Sequence, residues 1–284
     1  MSGNVSIERF VLEPGGDLFI RGSVYVQPDQ DKKPVIVICH GFKAFASWGF
    51  FPYAAEWLVQ RGFYVVLFNF SCNGVREWDF DELDKFARNT YSREQDDLAA
   101  VLSALTRGRL PFPQMADTER IALLGHSRGG GNAIIFAADH PEIGAVVTWN
   151  GVGSANLFDE RFEAEARREG VAYTPNARTK QLMPINRIFF EDLDRNRERF
   201  DIPARLAELD IPVMLLQGDE DAERLLNGFR RMREAAPRHT YRTIAGAGHT
   251  FGAVHPFAGT TAALEEALEA TASFLLENLR RRNG

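Results

Sequence analysis

The sequence has few cysteines, no long basic segment and no apolar run long enough to span a bilayer. Two cysteines, Cys39 and Cys72, are too few for a disulfide framework or a four-thiolate zinc site. The H-E-x-x-H, C-x-x-C, P-loop and G-x-G-x-x-G patterns are also missing, so we expect neither a metal nor a cofactor. A net charge of −6 argues against a nucleic-acid partner, because neutralising phosphates supplies most of that affinity.

The start of the chain lacks a basic stretch followed by an apolar one, so we expect no signal peptide. The composition is 45% hydrophobic and 25% charged, as in ordinary globular proteins. A chain of 284 residues can bury a sizeable core in one or two domains. These features predict a cytoplasmic protein with no membrane partner.

Short apolar segments alternate with helical segments along most of the chain. Val5–Leu12 and Leu18–Val26 flank the turn residues Pro14-Gly15-Gly16-Asp17 and predict an antiparallel hairpin. Five continuous apolar runs then predict strands that are buried on both faces: Val35–Cys39, Tyr64–Phe70, Ile121–Leu124, Ala145–Trp149 and Val213–Leu216. The predicted helices are Trp48–Arg61, Glu94–Thr106 with Ser92 as its N-cap, Arg128–Asp139, Ala222–Ala236 and Thr260–Arg282. This order predicts the α/β class, with a doubly wound, mostly parallel sheet after the hairpin.

One segment interrupts the alternation. Residues Ala155–Arg205 are rich in Arg, Glu and Asp, with scattered aromatic residues and prolines. We interpret them as a helical insertion between two strands of the sheet. Because the chain shows no internal repeat and no linker-like region, we predict a single domain over residues 1–284 that contains this insertion.

A G-x-S-x-G motif follows one of the predicted strands. Gly125-His126-Ser127-Arg128-Gly129 leaves the strand and enters a helix through further glycines. This strand–turn–helix context is typical of a nucleophile elbow, whose tight turn leaves no room for side chains beside the serine. The motif therefore predicts an exposed nucleophilic Ser127. The alternative is a glycine-rich turn in which Ser127 only caps a helix.

A serine hydroxyl is a weak nucleophile and needs a base that a third group orients. The chain order Ser, acid, His leaves three candidate bases: His239, His249 and His255. His249 follows the alternating, strand-like stretch His239–Ile244 in a glycine-rich loop that can bring an imidazole over the sheet edge, and it is our candidate. His239 lies in a polar alternating stretch typical of a solvated strand edge, and His255 is the reserve.

The candidate acid lies in the loop after Val213–Leu216, at the strand end where such sheets build their sites. We prefer Asp221, because it lies deeper in the loop and has room to turn back toward the histidine. Asp219 and Glu220 are the alternatives, and spacing alone does not choose among the three. The acidic cluster could also be a solvated loop at a helix start, where negative charge is favourable.

Attack on a carbonyl creates an oxyanion, which needs preorganised hydrogen-bond donors. One donor would be the backbone N–H of Arg128, the residue after Ser127. The other would come from the loop after Val35–Cys39, from the N–H of Phe42. We expect His40 in that loop to have a structural role, and the His126 side chain to point away from the nucleophile.

Together these motifs resemble the α/β-hydrolase-fold serine hydrolases, in the esterase and acyl-hydrolase branch related to prolyl oligopeptidase catalytic domains and cinnamoyl/feruloyl esterases. The motifs that carry the resemblance are His40-Gly41-Phe42, Gly125–Gly130, Gly218–Asp221 and Gly246–His249. The resemblance covers Val5 to Leu279 apart from the insertion. It implies an eight-stranded sheet, a Ser127–Asp221–His249 triad, and an oxyanion hole from Phe42 and Arg128.

The resemblance also implies hydrolysis of a small-molecule carboxylic ester through an acyl-enzyme, with residues 155–205 as a cap over Ser127. Aromatic residues of the cap, together with Trp149 and Asn150, predict a largely apolar acyl pocket. Two alternatives remain: a short-peptide peptidase or amidase, and a non-catalytic ligand-binding homologue. The sequence shows no large gating domain before the hydrolase region, which disfavours the peptidase, and the intact Ser, Asp and His candidates disfavour the binding protein.

Overall fold

An eight-stranded sheet organises the protein in the computed structural model, which describes residues 4–29 and 31–279. Its strands are β1 (Ser6–Gly15), β2 (Leu18–Val26), β3 (Lys33–Cys39), β4 (Tyr64–Asn69), β5 (Ala116–His126), β6 (Ile143–Trp149), β9 (Val213–Gly218) and β10 (Thr240–Ile244). Their spatial order is β1-β2-β4-β3-β5-β6-β9-β10. The hairpin β1–β2 is antiparallel, and β2 pairs with β4 in antiparallel register. The other strands of this sheet, in the spatial order β4-β3-β5-β6-β9-β10, pair in parallel.

Helices cover both faces of this sheet. They are α1 (Phe51–Val59), α2 (Leu83–Ala87), α3 (Tyr91–Thr106), α4 (Arg128–Asp139), α5 (Glu160–Glu169), α6 (Ile188–Arg195), α7 (Ile202–Glu208), α8 (Glu223–Ala235) and α9 (Ala262–Asn278). Helices α1 and α9 pack in one core, and α3, α4 and α8 pack in the core on the opposite face. All seven residues of β3 are buried, in keeping with the continuous apolar run Val35–Cys39 within it. No helix within residues 4–29 and 31–279 is both long and apolar enough to cross a bilayer.

The predicted α/β fold class is confirmed, including the antiparallel hairpin and the mostly parallel sheet. The N-cap predicted for α3 is wrong. Thr90 has an extended backbone and accepts the Arg93 N–H on its side chain at 3.1 Å, so the helix begins at Tyr91. Ser92 therefore lies inside the helix and donates its hydroxyl to Asp192. The predicted end of the last helix, Arg282, lies outside the described residues.

The prediction of a helical insertion is wrong in part, because an antiparallel hairpin lies between α5 and α6. This hairpin consists of β7 (Val171–Pro175) and β8 (Leu182–Asn186). Alternation explains it: Ala172, Met183 and Ile185 are buried, while their strand neighbours are more exposed. The Lys43 ammonium donates to Thr174 and to the Pro175 carbonyl, which ties the hairpin to the loop after β3. The division into one domain with an insertion at 155–205 stays a prediction.

Candidate active site

Ser127 occupies the turn between β5 and α4. Its backbone has φ 55° and ψ −121°, a conformation that costs a non-glycine residue about 1–3 kcal/mol and is typical of functional sites. Glycines flank it because the backbone passes too close for side chains. A Cβ at Gly125 would lie 2.2 Å from the Gly129 oxygen, and one at Gly129 would lie 2.1 Å from the Cys39 oxygen. The Ser127 N–H donates to the Trp149 carbonyl at 2.9 Å and fixes the turn against β6.

The structure brings Ser127, His249 and Asp221 together in a hydrogen-bonded line. His249 Nε2 lies 2.9 Å from Ser127 Oγ, and His249 Nδ1 lies 2.9 Å from Asp221 Oδ2. The Asp221 side chain is 2% exposed, whereas the His249 side chain is 37% exposed. An imidazole held between a hydroxyl and a buried carboxylate can accept the hydroxyl proton, while the carboxylate fixes the tautomer with the proton on Nδ1.

The burial and the hydrogen-bond partners of its carboxylate distinguish Asp221 from Asp219 and Glu220. Burial alone would raise the pKa of Asp221, but the hydrogen bond and the charge of His249 outweigh burial and hold that pKa below its ordinary value. The Ala222 N–H and the Gln217 amide also donate to this carboxylate. Asp219 is exposed and accepts the Gly246 N–H, so it braces the loop rather than the imidazole. Glu220 is exposed as well.

The other candidate histidines lie elsewhere. His239 contacts the Leu206 carbonyl, and His255 accepts the Gly49 N–H while its ring stacks on Trp48. His40 is buried and accepts the Phe70 N–H, in agreement with a structural role for its loop. The His126 ring turns from the nucleophile toward the His249 carbonyl, 2.9 Å from Nε2.

A buried polar clamp holds the backbone of the His249 loop. Asn150 is fully buried and donates its side-chain amide to the carbonyls of Gly248 and His249, at 3.4 and 2.8 Å. Its side-chain oxygen accepts from the Gly218 N–H and from Gln217, which also donates to Asp221. The His249 carbonyl thus has two donors, Asn150 and His126. This clamp couples the acid loop to the histidine loop.

The geometry around Ser127 accommodates two backbone donors for an oxyanion. Arg128 is the first residue of α4, so its N–H has no acceptor within the helix. The loop before Phe42 passes so close to the nucleophile that a Cβ at Gly41 would lie 2.9 Å from Ser127 Cβ. Both backbone segments therefore lie beside Ser127, and Phe42 and Arg128 stay our oxyanion-hole candidates.

The structure does not place Trp149 or Asn150 in a substrate pocket. Trp149 is 1% exposed, its indole N–H donates to Thr271, and its ring packs against Phe50 and Phe251 in the core. Asn150 is committed to the clamp. The side chain of a strand-end residue can turn inward, and the sequence pattern alone did not show which way these two turn.

Aromatic residues instead gather between the loop after β3 and the insertion at 155–205. The Phe42 ring lies 5.5 Å from Phe86 and 5.8 Å from Phe158, measured between ring centroids. Phe158 in turn contacts Phe162 and Phe189. These contacts make an apolar wall on the Phe42 side of Ser127.

Glu94 was not among the expected site residues, yet it is buried and pairs with the side chain of Arg128 at 2.8 Å. Gln217 and the clamp role of Asn150 were not expected either. In the structure Glu94, Gln95 and Asp97 are all buried on α3. In the sequence they form a polar cluster at the start of that helix, which gave no sign that the cluster is buried.

Comparison with known proteins supports this picture of the fold. In solved structures, DcsB in complex with its substrate analogue superimposes with a TM-score of 0.74 at 17% identity, over 96% of this chain and 100% of that one. Est1E from Butyrivibrio proteoclasticus with bound ferulic acid superimposes with a TM-score of 0.69 at 17% identity, over 95% of this chain and 99% of that one. The esterase domain from a Rhodothermus marinus protein superimposes with a TM-score of 0.65 at 15% identity, over 97% of this chain and 100% of that one.

Sequence comparisons give two results. No curated protein sequence matches the chain significantly. The model of the alpha/beta hydrolase family matches residues 36–263, which include Ser127, Asp221 and His249. That match covers most of the chain, and the eight-stranded sheet with its elbow at the end of β5 agrees with it. The chain is therefore a member of the alpha/beta hydrolase family.

Proposed function

We propose that this protein is a serine hydrolase that cleaves carboxylic esters of small molecules through an acyl-enzyme. The observation that carries the proposal is the line from Ser127 Oγ through His249 to Asp221, with both hydrogen bonds at 2.9 Å and the serine on a strained turn. The esterase domain among the structural neighbours and the ferulic acid bound to Est1E support an ester substrate.

The chemistry follows from this geometry. Ser127 Oγ attacks the ester carbonyl carbon as His249 Nε2 takes its proton, and the N–H groups of Phe42 and Arg128 stabilise the oxyanion. Collapse expels the alcohol, which takes the proton from His249. Water, deprotonated by the same imidazole, then attacks the acyl-enzyme and releases the acid. Asp221 stays ionised throughout and stabilises the imidazolium, in keeping with its lowered pKa.

The wall around Phe42 and Phe158 favours an acyl group that is mostly apolar. We therefore propose a neutral or weakly polar ester as the substrate. The test compares short p-nitrophenyl esters for the wild type and Ser127→Ala. Loss of turnover in the variant supports the proposal, and unchanged turnover contradicts it.

An amide assay separates esterase from peptidase chemistry. We expect turnover of an ester to exceed that of the anilide with the same acyl group by orders of magnitude. Comparable rates on the two would favour the short-peptide peptidase or amidase instead.

We also propose that the protein works in the cytoplasm. Cys39 and Cys72 are buried free thiols, and burial raises the pKa of the Cys72 thiol to about 11. Unpaired thiols suit a reducing compartment. Fractionation of the native cell should recover the protein with cytoplasmic markers, and recovery outside that fraction would contradict this location.

A further inference from the structure

Arg128, the residue after the nucleophile, has a buried side chain, and one of its guanidinium nitrogens has no hydrogen-bond partner in the described residues. The residue is 2% exposed, and its Nε donates to Glu94 at 2.8 Å. The guanidinium carbon lies 4.4 Å from the centre of the Tyr91 ring and 5.2 Å from that of Phe189. Nη2 is buried and has no hydrogen-bond partner among residues 4–29 and 31–279.

Glu94 accepts no hydrogen bond from the buried Nη2 of Arg128. One of its carboxylate oxygens accepts from Asn89, and the other accepts from both Asn132 and Arg128. The hydroxyl of Tyr91 is also buried without a partner in the described part of the chain. Buried donors without an acceptor are costly, so these two in one packing unit can take an oxygen from a ligand or a water molecule.

Arg128 and Tyr91 lie close to the aromatic residues that we assign to the acyl group of the substrate. Arg128 directly follows Ser127, and Phe189 belongs to the cap helix α6. Phe189 contacts Phe158, and Phe158 contacts Phe42 of the oxyanion loop. The unpaired donors therefore adjoin the same aromatic cluster that we assign to the acyl group.

We propose that Arg128 and Tyr91 form a subsite for a neutral oxygen acceptor, a ketone or hydroxyl oxygen, on the acyl group of the substrate. The subsite deepens the proposed function and rests on it. A neutral acceptor fits better than a carboxylate, because Glu94 already balances the guanidinium and a second buried anion would have no counter-charge. The substrate would then be an oxo or hydroxy acid ester rather than a plain alkyl ester.

The test compares p-nitrophenyl 4-oxopentanoate and 5-oxohexanoate with pentanoate and hexanoate. Each rate is divided by the rate of alkaline hydrolysis of the same ester, which corrects for intrinsic reactivity. A hydrogen bond to a charged donor predicts that kcat/KM for at least one oxo ester exceeds that of its alkyl partner about tenfold or more. Equal corrected values for both pairs would overturn the subsite. A p-nitrophenyl monosuccinate carries a carboxylate at the end of its acyl group, and a preference for that ester would overturn the assignment of a neutral oxygen acceptor.

Two variants assign the preference to these residues. Tyr91→Phe removes only the hydroxyl and should reduce the preference about threefold or more. The pair Glu94→Gln with Arg128→Met removes both charges, so that no unpaired buried charge remains, and should abolish it. Glu94→Gln alone keeps the guanidinium and should retain the preference. A preference that survives both Tyr91→Phe and the double variant would contradict the assignment.

The substrate ratio is read within one protein, so general losses of activity cancel. Labelling of Ser127 by a fluorophosphonate reports separately on the fold and on the nucleophile. Turnover and labelling without discrimination would refute the subsite alone. The absence of both in the folded wild type would refute the proposed function.

Discussion

His126 makes a quantitative prediction about acid stability. Burial lowers the pKa of His126 from 6.5 to about 3. The ring donates from Nε2 to the His249 carbonyl, and its buried Nδ1 has no partner within the described residues, so protonating Nδ1 would place an uncompensated charge in the core. In the unfolded chain the same imidazole takes up a proton freely below pH 6.5.

The unfolded state therefore binds one more proton than the folded state between these two pKa values, and stability falls as the pH falls through that window. One proton changes the free energy of unfolding by about 1.4 kcal/mol per pH unit, or about 3 kcal/mol over the two units below pH 6.5. His126→Gln keeps an N–H donor for the His249 carbonyl but cannot titrate. We expect the variant to lose less stability in acid by this amount.

The assay is urea unfolding of the wild type and His126→Gln at several pH values between about 7.5 and 4.5. Other titrating groups, Asp221 and His40 among them, are present in both proteins and cancel in the difference. The two curves of unfolding free energy against pH should converge or cross as the pH falls, with a slope difference near one proton. Parallel curves would refute the account of His126 as a buried neutral residue.

Three further predictions concern the site. Asn150→Asp replaces the donor to the His249 carbonyl with an acceptor, so kcat should fall on the order of 10²-fold with a smaller change in KM, as steady-state kinetics on a short ester would show. Asp221→Asn leaves the shape of the side chain but loses the charge that orients the imidazole, and kcat should fall on the order of 10⁴-fold; a loss below about tenfold would contradict its role. Lys43→Met removes the ties to Thr174 and the neighbouring carbonyl, so limited proteolysis should cut the hairpin β7–β8 faster than in the wild type, and equal rates would contradict the tie.

The sequence located the candidate site well because its parts are set by strand ends. Ser127 follows β5, and the acid and histidine loops follow β9 and β10, whose ends pair at Gly218 and Ile244. Parallel strands bring such loops to one edge of the sheet, so motif order and strand assignment were enough to bring three distant residues together. The sequence already favoured Asp221 for its depth in the loop, and the structure adds the hydrogen bond from His249 that Asp219 lacks.

The residues that the sequence did not reveal depend on side-chain direction and on packing between helices. Asn150 was expected to face substrate, but its side chain turns inward and holds the His249 loop. The pairing of Glu94 with Arg128 depends on how α3 packs against α4. The hairpin β7–β8 lies in a charged segment whose alternation is short, and charge density there suggested helices instead.

The most direct test of the central claim is covalent labelling of the folded wild-type protein with a fluorophosphonate, followed by intact mass and peptide mapping. We expect one adduct, on Ser127, and none on Ser127→Ala under the same conditions. We also expect labelling to abolish ester turnover in proportion to the fraction labelled. An adduct on another residue, or a folded protein that hydrolyses esters without labelling at Ser127, would contradict the claim that Ser127 is the nucleophile.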